Sequence, residues 1–332
     1  MFHKELNHPI FQIVSEESQK LGFQTFVVGG FVRDIFLKRT SKDVDFVTVG
    51  SGIALATAVR NRLKKAHLSI FKNFGTAQLK TDDWEFEFVG ARKESYDRNS
   101  RKPKVEDGTF EDDIYRRDFT INALAISLNA PKYGELIDLF GGVEDLKKCL
   151  IRTPLDPKIT FSDDPLRMMR AARFATQLNF TLVPETLEAL KTEAHRLSII
   201  SQERITDELQ KIIKSAKPSI GFTLLFDTKL LHLFFPEMIR LQGVEVIEGK
   251  GHKDNFYHTL QVLDQTCEKT EDIWVRWAAI LHDIAKPATK RFFPGEGWTF
   301  HGHEDKGSRM VKPIFTRLKL PLGEPMRRVV NL

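Results

Sequence analysis

An apolar run, Thr25 to Val28, meets Gly29-Gly30; a helix-like FVRDIF follows, and a second strand-like run, Val44 to Thr48, returns behind Asp43. Strand, glycine turn, helix and strand in immediate succession commit the start of the chain to a mixed α/β unit. The neighbouring pattern extends it. Helices are expected over Ile10 to Leu21 and Ile53 to Leu63, with short strands at Leu68 to Phe71 and Ala77 to Lys80. A strand at Trp84 to Val89 alternates, so that Trp84, Phe86 and Phe88 share one face and Glu85 and Glu87 the other. Residues Gly90 to Asp113 lack any period, carry six Lys/Arg and seven Asp/Glu, and are expected to form a mobile surface loop that handles substrate.

From Ser162 onward strand signals fade. Helical patterns run through Leu166 to Leu178, Glu185 to Leu197, Ile205 to Ile213 and Phe222 to Leu231. Pro154 and Pro157 mark a boundary within Ile151 to Phe161, and the Gly/His/Lys-rich stretch Gly243 to Asn255 a further break. The expected division is 1–155, 156–242 and 243–332. A length of 332 residues supports roughly two domains at about 150 residues each, and 41% apolar against 29% charged residues excludes disorder and fibrous repeats. Cys149 and Cys267 stand far apart, which excludes a disulfide framework and a cysteine-rich zinc site and fits a reducing compartment, the cytoplasm. No stretch reaches the ~18 apolar residues of a membrane span, and Lys4, Glu5, Glu16 and Glu17 leave no room for a signal-peptide core. The net charge of +5 permits a polyanionic partner without requiring one.

Within KDVDF, Asp43 and Asp45 lie two apart in a strand and therefore share a face. Two carboxylates so close repel unless a cation joins them, and hard oxygen ligands with open positions suit Mg²⁺ together with substrate phosphates. Gly29 and Gly30 let backbone N–H groups approach a triphosphate, with Arg33 one turn into the helix. The bland alternative is a glycine turn beside two solvated aspartates. Glu87 is the candidate third carboxylate, and Asp118 competes with it. Two guanidiniums open RRDFTINALA (Arg116 to Ala125), and such forks suit phosphate oxygens, although a basic pair is by itself often only solvated surface.

In SDDPLRMMRAARF, Ser162 is the expected N-cap, Leu166, Met169 and Phe174 the buried side. Asp164, Arg167, Arg170 and Arg173 follow at intervals of three along a slowly winding ridge. An i,i+3 ion pair would explain the acid; three evenly spaced arginines fit a polyanion better.

GGFVRD, DVD, RRDFTINALA, LFGG (Leu139 to Gly142) and DDPLRMMRAARF, in this order and spacing, resemble the class II tRNA nucleotidyltransferase and bacterial poly(A) polymerase family over residues 20 to 215. The resemblance implies an α+β protein: a polymerase-β-like head on a five-stranded mixed sheet, then all-α neck and body regions. It implies that Asp43 and Asp45 hold two Mg²⁺ ions, and Glu87, placed by the strand alternation, is expected to complete the catalytic set. Gly29, Gly30, Arg33, Arg117, Asp118 and Asn122 would contact the incoming nucleotide, and Asp164, Arg167, Arg170 and Arg173 would line its pocket. Cytosine and adenine both offer an amino donor beside a bare ring nitrogen, whereas guanine and uracil offer a carbonyl beside an N–H. Asp164 as acceptor and Arg167 as donor match the first pair and reject the second. CTP and ATP are therefore the expected substrates, added to the 3′ end of tRNA, with Arg117, Arg170 and Arg173 on the phosphates.

YHTL, LHDIAKP and FHGHEDKG near the C-terminus resemble an HD-type metal-dependent phosphohydrolase domain. His258, His282, Asp283 and His303 would form a second divalent-metal site, with a degenerate structural role as the alternative. HD domains usually take a further aspartate from a later helix. No Asp follows Asp305, so a partial, truncated HD-like domain is expected.

The leading expectation is CCA addition. Poly(A) polymerase shares every head and neck motif; a phosphohydrolase with an RNA-binding head, and an RNA-binding protein without catalysis, are the alternatives from other classes. Candidate RNA contacts are Arg92, Lys93, Arg101, Lys102 and Lys104 in the expected loop, and Lys306, Arg309, Lys312, Arg317 and Lys319 near the C-terminus. The oligomeric state stays open.

Overall fold

A computed structural model describes residues 1–97 and 100–332, with side chains 95–104 excluded. The chain forms two compact units, Met1–Asp163 and Asp164–Leu332.

The first unit begins with α1 (Pro9–Lys20), β1 (Gln24–Val28), α2 (Gly30–Phe36), β2 (Asp43–Val49) and α3 (Gly52–Arg62). β3 (His67–Phe71), β4 (Thr76–Lys80), β5 (Glu85–Gly90), β6 (Arg92–Asp97) and β7 (Ser100–Asp107) follow. α4 (Phe110–Tyr115), β8 (Ala125–Ser127), β9 (Leu136–Ile137), α5 (Gly142–Lys147) and α6 (Pro157–Asp163) complete it. Among the described residues the main sheet runs β3-β4-β5-β2-β1-β8-β9, seven strands rather than the expected five. The extra width comes from β8 and β9, whose few residues give little sequence signal.

β1 carries β2 and β8 antiparallel on its two sides, and β2 pairs in parallel with β5. The alternation of β2 puts Val44 and Phe46 at 0% exposure while Asp43 and Asp45 face the other way. β5 repeats it, burying Phe86 and Phe88 and turning Glu85 and Glu87 out. Phe46 packs 4.9 Å from Phe88 between ring centres, and Phe11 of α1 joins this cluster. Apolar burial on one face thus fixes the register, and the register places the acids.

The expected loop over Gly90 to Asp113 is instead organised: β6 pairs antiparallel with β7, and α4 begins at Phe110. Its charges hide its order. Glu94 is only 5% exposed and binds Arg92 at 2.8 Å, so local ion pairs replace the apolar alternation that would have announced a strand. Thr109 and Asp112 close a reciprocal capping box at the start of α4. Arg101, Lys102 and Lys104 lie outside the residues whose side chains are described.

The second unit is built from α7 (Leu166–Leu178), α8 (Pro184–Glu193), α9 (Gln202–Ile213), α10 (Ser219–Asp227), α11 (Leu230–Phe234) and α12 (Pro236–Ile239). α13 (Asn255–Cys267), α14 (Ile273–Leu281), α15 (Lys286–Thr289), α16 (His303–Arg317) and α17 (Glu324–Asn331) follow, with small hairpins at 246–251 and 291–299 that the helical reading did not anticipate. Met168, Met169, Ala172 and Phe174 bury the inner side of α7, as its pattern required. Ser162 does not cap this helix. It lies inside α6, and Asp164 Oδ1 accepts the Leu166 N–H at 3.2 Å instead. No helix among the described residues is long and apolar enough to cross a membrane.

Candidate functional site

Asp45 and Glu87 are direct register partners across β2 and β5, and Asp43 and Glu85 are the pair before them. Four carboxylates therefore stand on one face of adjacent strands. Burial, then the Glu85 charge, pushes the Asp43 carboxyl above the ordinary aspartate value; burial, then the Asp43 charge, raises Glu87. A cation bound among acids crowded in this way would offset both the burial and the mutual repulsion.

The turn between β1 and α2 brings cations to the same place. Gly29 adopts φ +72°, a left-handed conformation that L side chains rarely adopt, and its N–H donates to Leu124 O at 3.0 Å. A methyl group on Gly29 would stand 3.1 Å from Arg117 Nη1, 3.6 Å from Asp45 Oδ2 and 3.7 Å from the Asn122 carbonyl. The turn, the acid and the guanidinium thus converge. Arg33 donates to Asn122 Oδ1 at 2.8 Å and to Asp34 at 2.9 Å, and one on Gly30 would be 3.6 Å from Arg33 Nη2.

Asp118, the other candidate for a third carboxylate, is engaged by its neighbours. It is 7% exposed, and its Oδ1 accepts from the Phe119 N–H at 2.8 Å and from Asn122 Nδ2 at 3.1 Å. Its carboxylate orients Asn122, which in turn orients Arg33. Glu87, across the ladder from Asp45, and Glu85, across from Asp43, are the acids beside the two aspartates.

Asp113 was not anticipated. It is fully buried and receives Arg117 Nη2 at 3.0 Å and Arg116 Nε at 3.0 Å. Spacings of three and four residues on a short helix were the available signal.

In the second unit, Asp164, Arg167, Arg170 and Arg173 are all half-buried. Arg173 does not stand open for phosphate: its Nε meets Glu208 Oε2 at 2.5 Å, and its guanidinium lies 4.1 Å from the Phe174 ring centre. Burial alone would raise the Glu208 carboxyl, yet Arg173 and then Lys211 hold it below the ordinary glutamate range. Glu208 lies on α9 and Arg173 on α7, so nothing local in sequence linked them.

The C-terminal histidines also assemble. Ligating atoms of His258, His282 and Asp283 lie within 4.8 Å of one another, the one such group of three among the described residues. His303 Nε2 is 3.6 Å from Asp283 Oδ1, while exposed His301 makes no part of the group. His282 Nδ1 faces the Ala279 carbonyl at 2.8 Å and His303 Nδ1 the Phe300 carbonyl at 2.9 Å, which places the proton on Nδ1 and turns Nε2 toward Asp283. Burial would raise Asp283, but His282 and Lys286 hold it down to about 2. Of the expected C-terminal RNA contacts, Arg317 is held by Glu237 at 2.8 Å and Arg309 by Asp305 at 2.9 Å.

Residues 25–152 match the family described as the poly A polymerase head domain, 179–241 the probable RNA and SrmB-binding site of polymerase A, and 255–332 the HD domain. The chain is 34% identical over 314 residues to the multifunctional CCA protein of Shewanella frigidimarina, covering 89% of this chain and 70% of that protein. It is 43% identical over 194 residues to an A-adding tRNA nucleotidyltransferase of Aquifex aeolicus, covering 58% of this chain and 23% of that one. A solved tRNA nucleotidyltransferase complexed with a primer tRNA and an incoming ATP analogue superposes with a TM-score of 0.66 at 26% identity, covering 96% of this chain and 82% of that one.

Proposed function

The chain belongs to the tRNA nucleotidyltransferase and poly(A) polymerase family, and we propose that it adds CMP and AMP from CTP and ATP to the 3′ end of tRNA in the cytoplasm, without a template. The convergence of Asp45, Gly29 and Arg117 carries this reading, because it puts a metal-binding acid, a close-approach turn and a phosphate fork at one point.

Nucleotidyltransferases of this family depend on divalent metal. Asp43, Asp45 and Glu87 would hold it here; their all-oxygen donor set suits Mg²⁺, and the upward push on Asp43 and Glu87 marks a site short of positive charge. Metal bound there would neutralise the triphosphate and acidify the attacking hydroxyl. Arg117 and Arg33 would hold triphosphate oxygens while the RNA 3′-hydroxyl attacks the α-phosphorus in line and pyrophosphate leaves. Asp164, anchored through Oδ1, keeps a second carboxylate oxygen for the amino group shared by cytosine and adenine, and Arg167 donates to the adjacent ring nitrogen. Asp118 and Asn122 act on the nucleotide through Arg33, Arg170 supplies further positive charge, and Arg173 shapes the pocket from its pairing with Glu208.

We assign 1–155 to the head, 156–242 to an RNA-binding neck and 243–332 to an HD-like domain whose His258, His282, Asp283 and His303 take a second divalent metal. The deciding experiment offers CTP alone, ATP alone and both, to tRNA lacking its terminal nucleotides and to an unstructured RNA. Two C additions followed by one A, on tRNA only, is the expected result. Homopolymeric A on either RNA would replace the assignment with poly(A) synthesis, and A addition restricted to tRNA already ending in CC would narrow it.

A further inference from the structure

We propose that Asp113 is a positioning residue for nucleotide binding: it fixes the Arg117 guanidinium against the Gly29 turn. The proposal rests on the reading that Arg117 meets the triphosphate.

Asp113 lies in the short helix α4, with no exposed surface. Its Oδ2 accepts from Arg117 Nη2 at 3.0 Å, and its Oδ1 accepts from Arg116 through both Nε and Nη2. Arg116 is in turn bound by Glu94, itself 5% exposed, at 3.4 Å. Arg117 Nη1 reaches the other way, to the Asn122 carbonyl at 3.4 Å and beside Gly29. The guanidinium is therefore held at two corners: an acid behind it and a carbonyl at the turn. Its Nε is buried without an acceptor among the described residues, so Arg117 is not satisfied by internal partners alone.

A negative charge behind an anion-binding arginine is a cost if charge is all that counts, since it weakens the attraction for a triphosphate. It is a gain if the arginine must be held still, because an unconstrained guanidinium loses rotamer freedom each time it binds. The two effects have opposite signs. Removing the charge in Asp113→Asn should strengthen nucleotide binding if the electrostatic effect governs, and weaken it if positioning governs. Damage to the fold alone would lower the amount of active protein and the melting temperature without moving affinity.

The test measures CTP affinity by calorimetry with Mg²⁺, KM and kcat for CTP in transfer to tRNA, and thermal unfolding, for Asp113→Asn, Asp113→Glu, Arg117→Ala and the double variant Asp113→Asn/Arg117→Ala. Positioning predicts a rise in Kd and KM of about tenfold for Asp113→Asn and about threefold for Asp113→Glu, with kcat changed by less than about threefold. In the Arg117→Ala background the Asp113 change should add less than about twofold, because the side chain it positions is gone. Tighter or unchanged CTP binding in Asp113→Asn, or an additive double variant, overturns the proposal while leaving the nucleotide reading intact. Arg117→Ala binding CTP like the parent overturns both. If Asp113→Asn does not fold, Asp113→Glu carries the test, and an unaltered KM in it counts against positioning.

Discussion

Asp45 on β2 and Glu87 on β5 are register partners in a parallel strand pair, and both turn away from the phenylalanine core that their neighbours Phe46 and Phe88 build. The core thus dictates the acid site: the same alternation that buries Val44 and Phe46 on β2 and Phe86 and Phe88 on β5 presents the carboxylates as a row.

Replacing Asp45 with Asn removes one member of that row and keeps its shape. CMP incorporation should fall by about 10³-fold, while the melting temperature changes little because a crowded acid is lost, not a core contact. Radiolabelled CTP incorporation beside a thermal unfolding curve checks both halves, and incorporation within a few-fold of the parent would place the metal elsewhere.

The pH profile should carry the crowding. Burial and neighbouring charge raise Asp43 and Glu87 above the ordinary values of 3.8 and 4.5, and the proposed metal binding needs them ionised. The acid limb of kcat/KM therefore lies above the ordinary carboxylate range at low Mg²⁺. Raising Mg²⁺, which competes with protons for these oxygens, should move it to lower pH. A limb indifferent to Mg²⁺ concentration would mean that another group limits activity.

Gly29→Ala places a methyl group where φ is +72° and Arg117 Nη1 is 3.1 Å away. Stability should fall by about 1–2 kcal/mol from backbone strain, and nucleotide affinity should fall with it as Arg117 is displaced. Urea unfolding and CTP binding measure the two losses; a variant as stable and as tight-binding as the parent would show that the turn has room to spare.

Glu208→Gln leaves Arg173 with its charge but without the Glu208 carboxylate, in a pair whose side chains are 5% and 11% exposed. The cost should be about 3 kcal/mol at neutral pH. Arg173 and Lys211 hold the Glu208 carboxyl below its ordinary 4.5 despite burial. The parent's advantage is accordingly present above that value and lost as pH falls through the lowered one. Denaturation of parent and variant at neutral and acidic pH should converge on the acid side, and a gap that is constant across pH would assign the loss to packing.

His282→Ala should reduce affinity for Zn²⁺ or Mn²⁺ at the C-terminal cluster by at least about tenfold, with CMP incorporation unaffected. Calorimetric titration of the metal into parent and variant decides it. Equal affinity in both would show that the cluster is held by Lys286 and hydrogen bonds alone.

Much of the molecule is legible in its sequence. The strand–glycine–helix–strand start, the shared face of Asp43 and Asp45, the opposite faces of Phe86 and Glu87, and the amphipathic α7 follow from periods of two and 3.6 residues, which are local properties of the chain. The segment over Gly90 to Asp113 forms a backbone-paired hairpin whose side chains include local ion pairs such as Arg92–Glu94, which leave no apolar alternation for the sequence to display. Ser162 was the natural cap by composition, yet Asp164 accepts the Leu166 N–H, since Ser162 is already committed to the preceding helix.

What the sequence by itself determined is the set of chemical groups and the faces on which they lie, because strand and helix geometry convert spacing directly into direction. Only the tertiary structure decided which distant groups meet: Glu87 beside Asp45, Arg117 at Gly29, Glu208 under Arg173, and His258 with His282 and Asp283. Such meetings depend on strand order and on burial of apolar surface shared by elements far apart in the chain, and no local period records them.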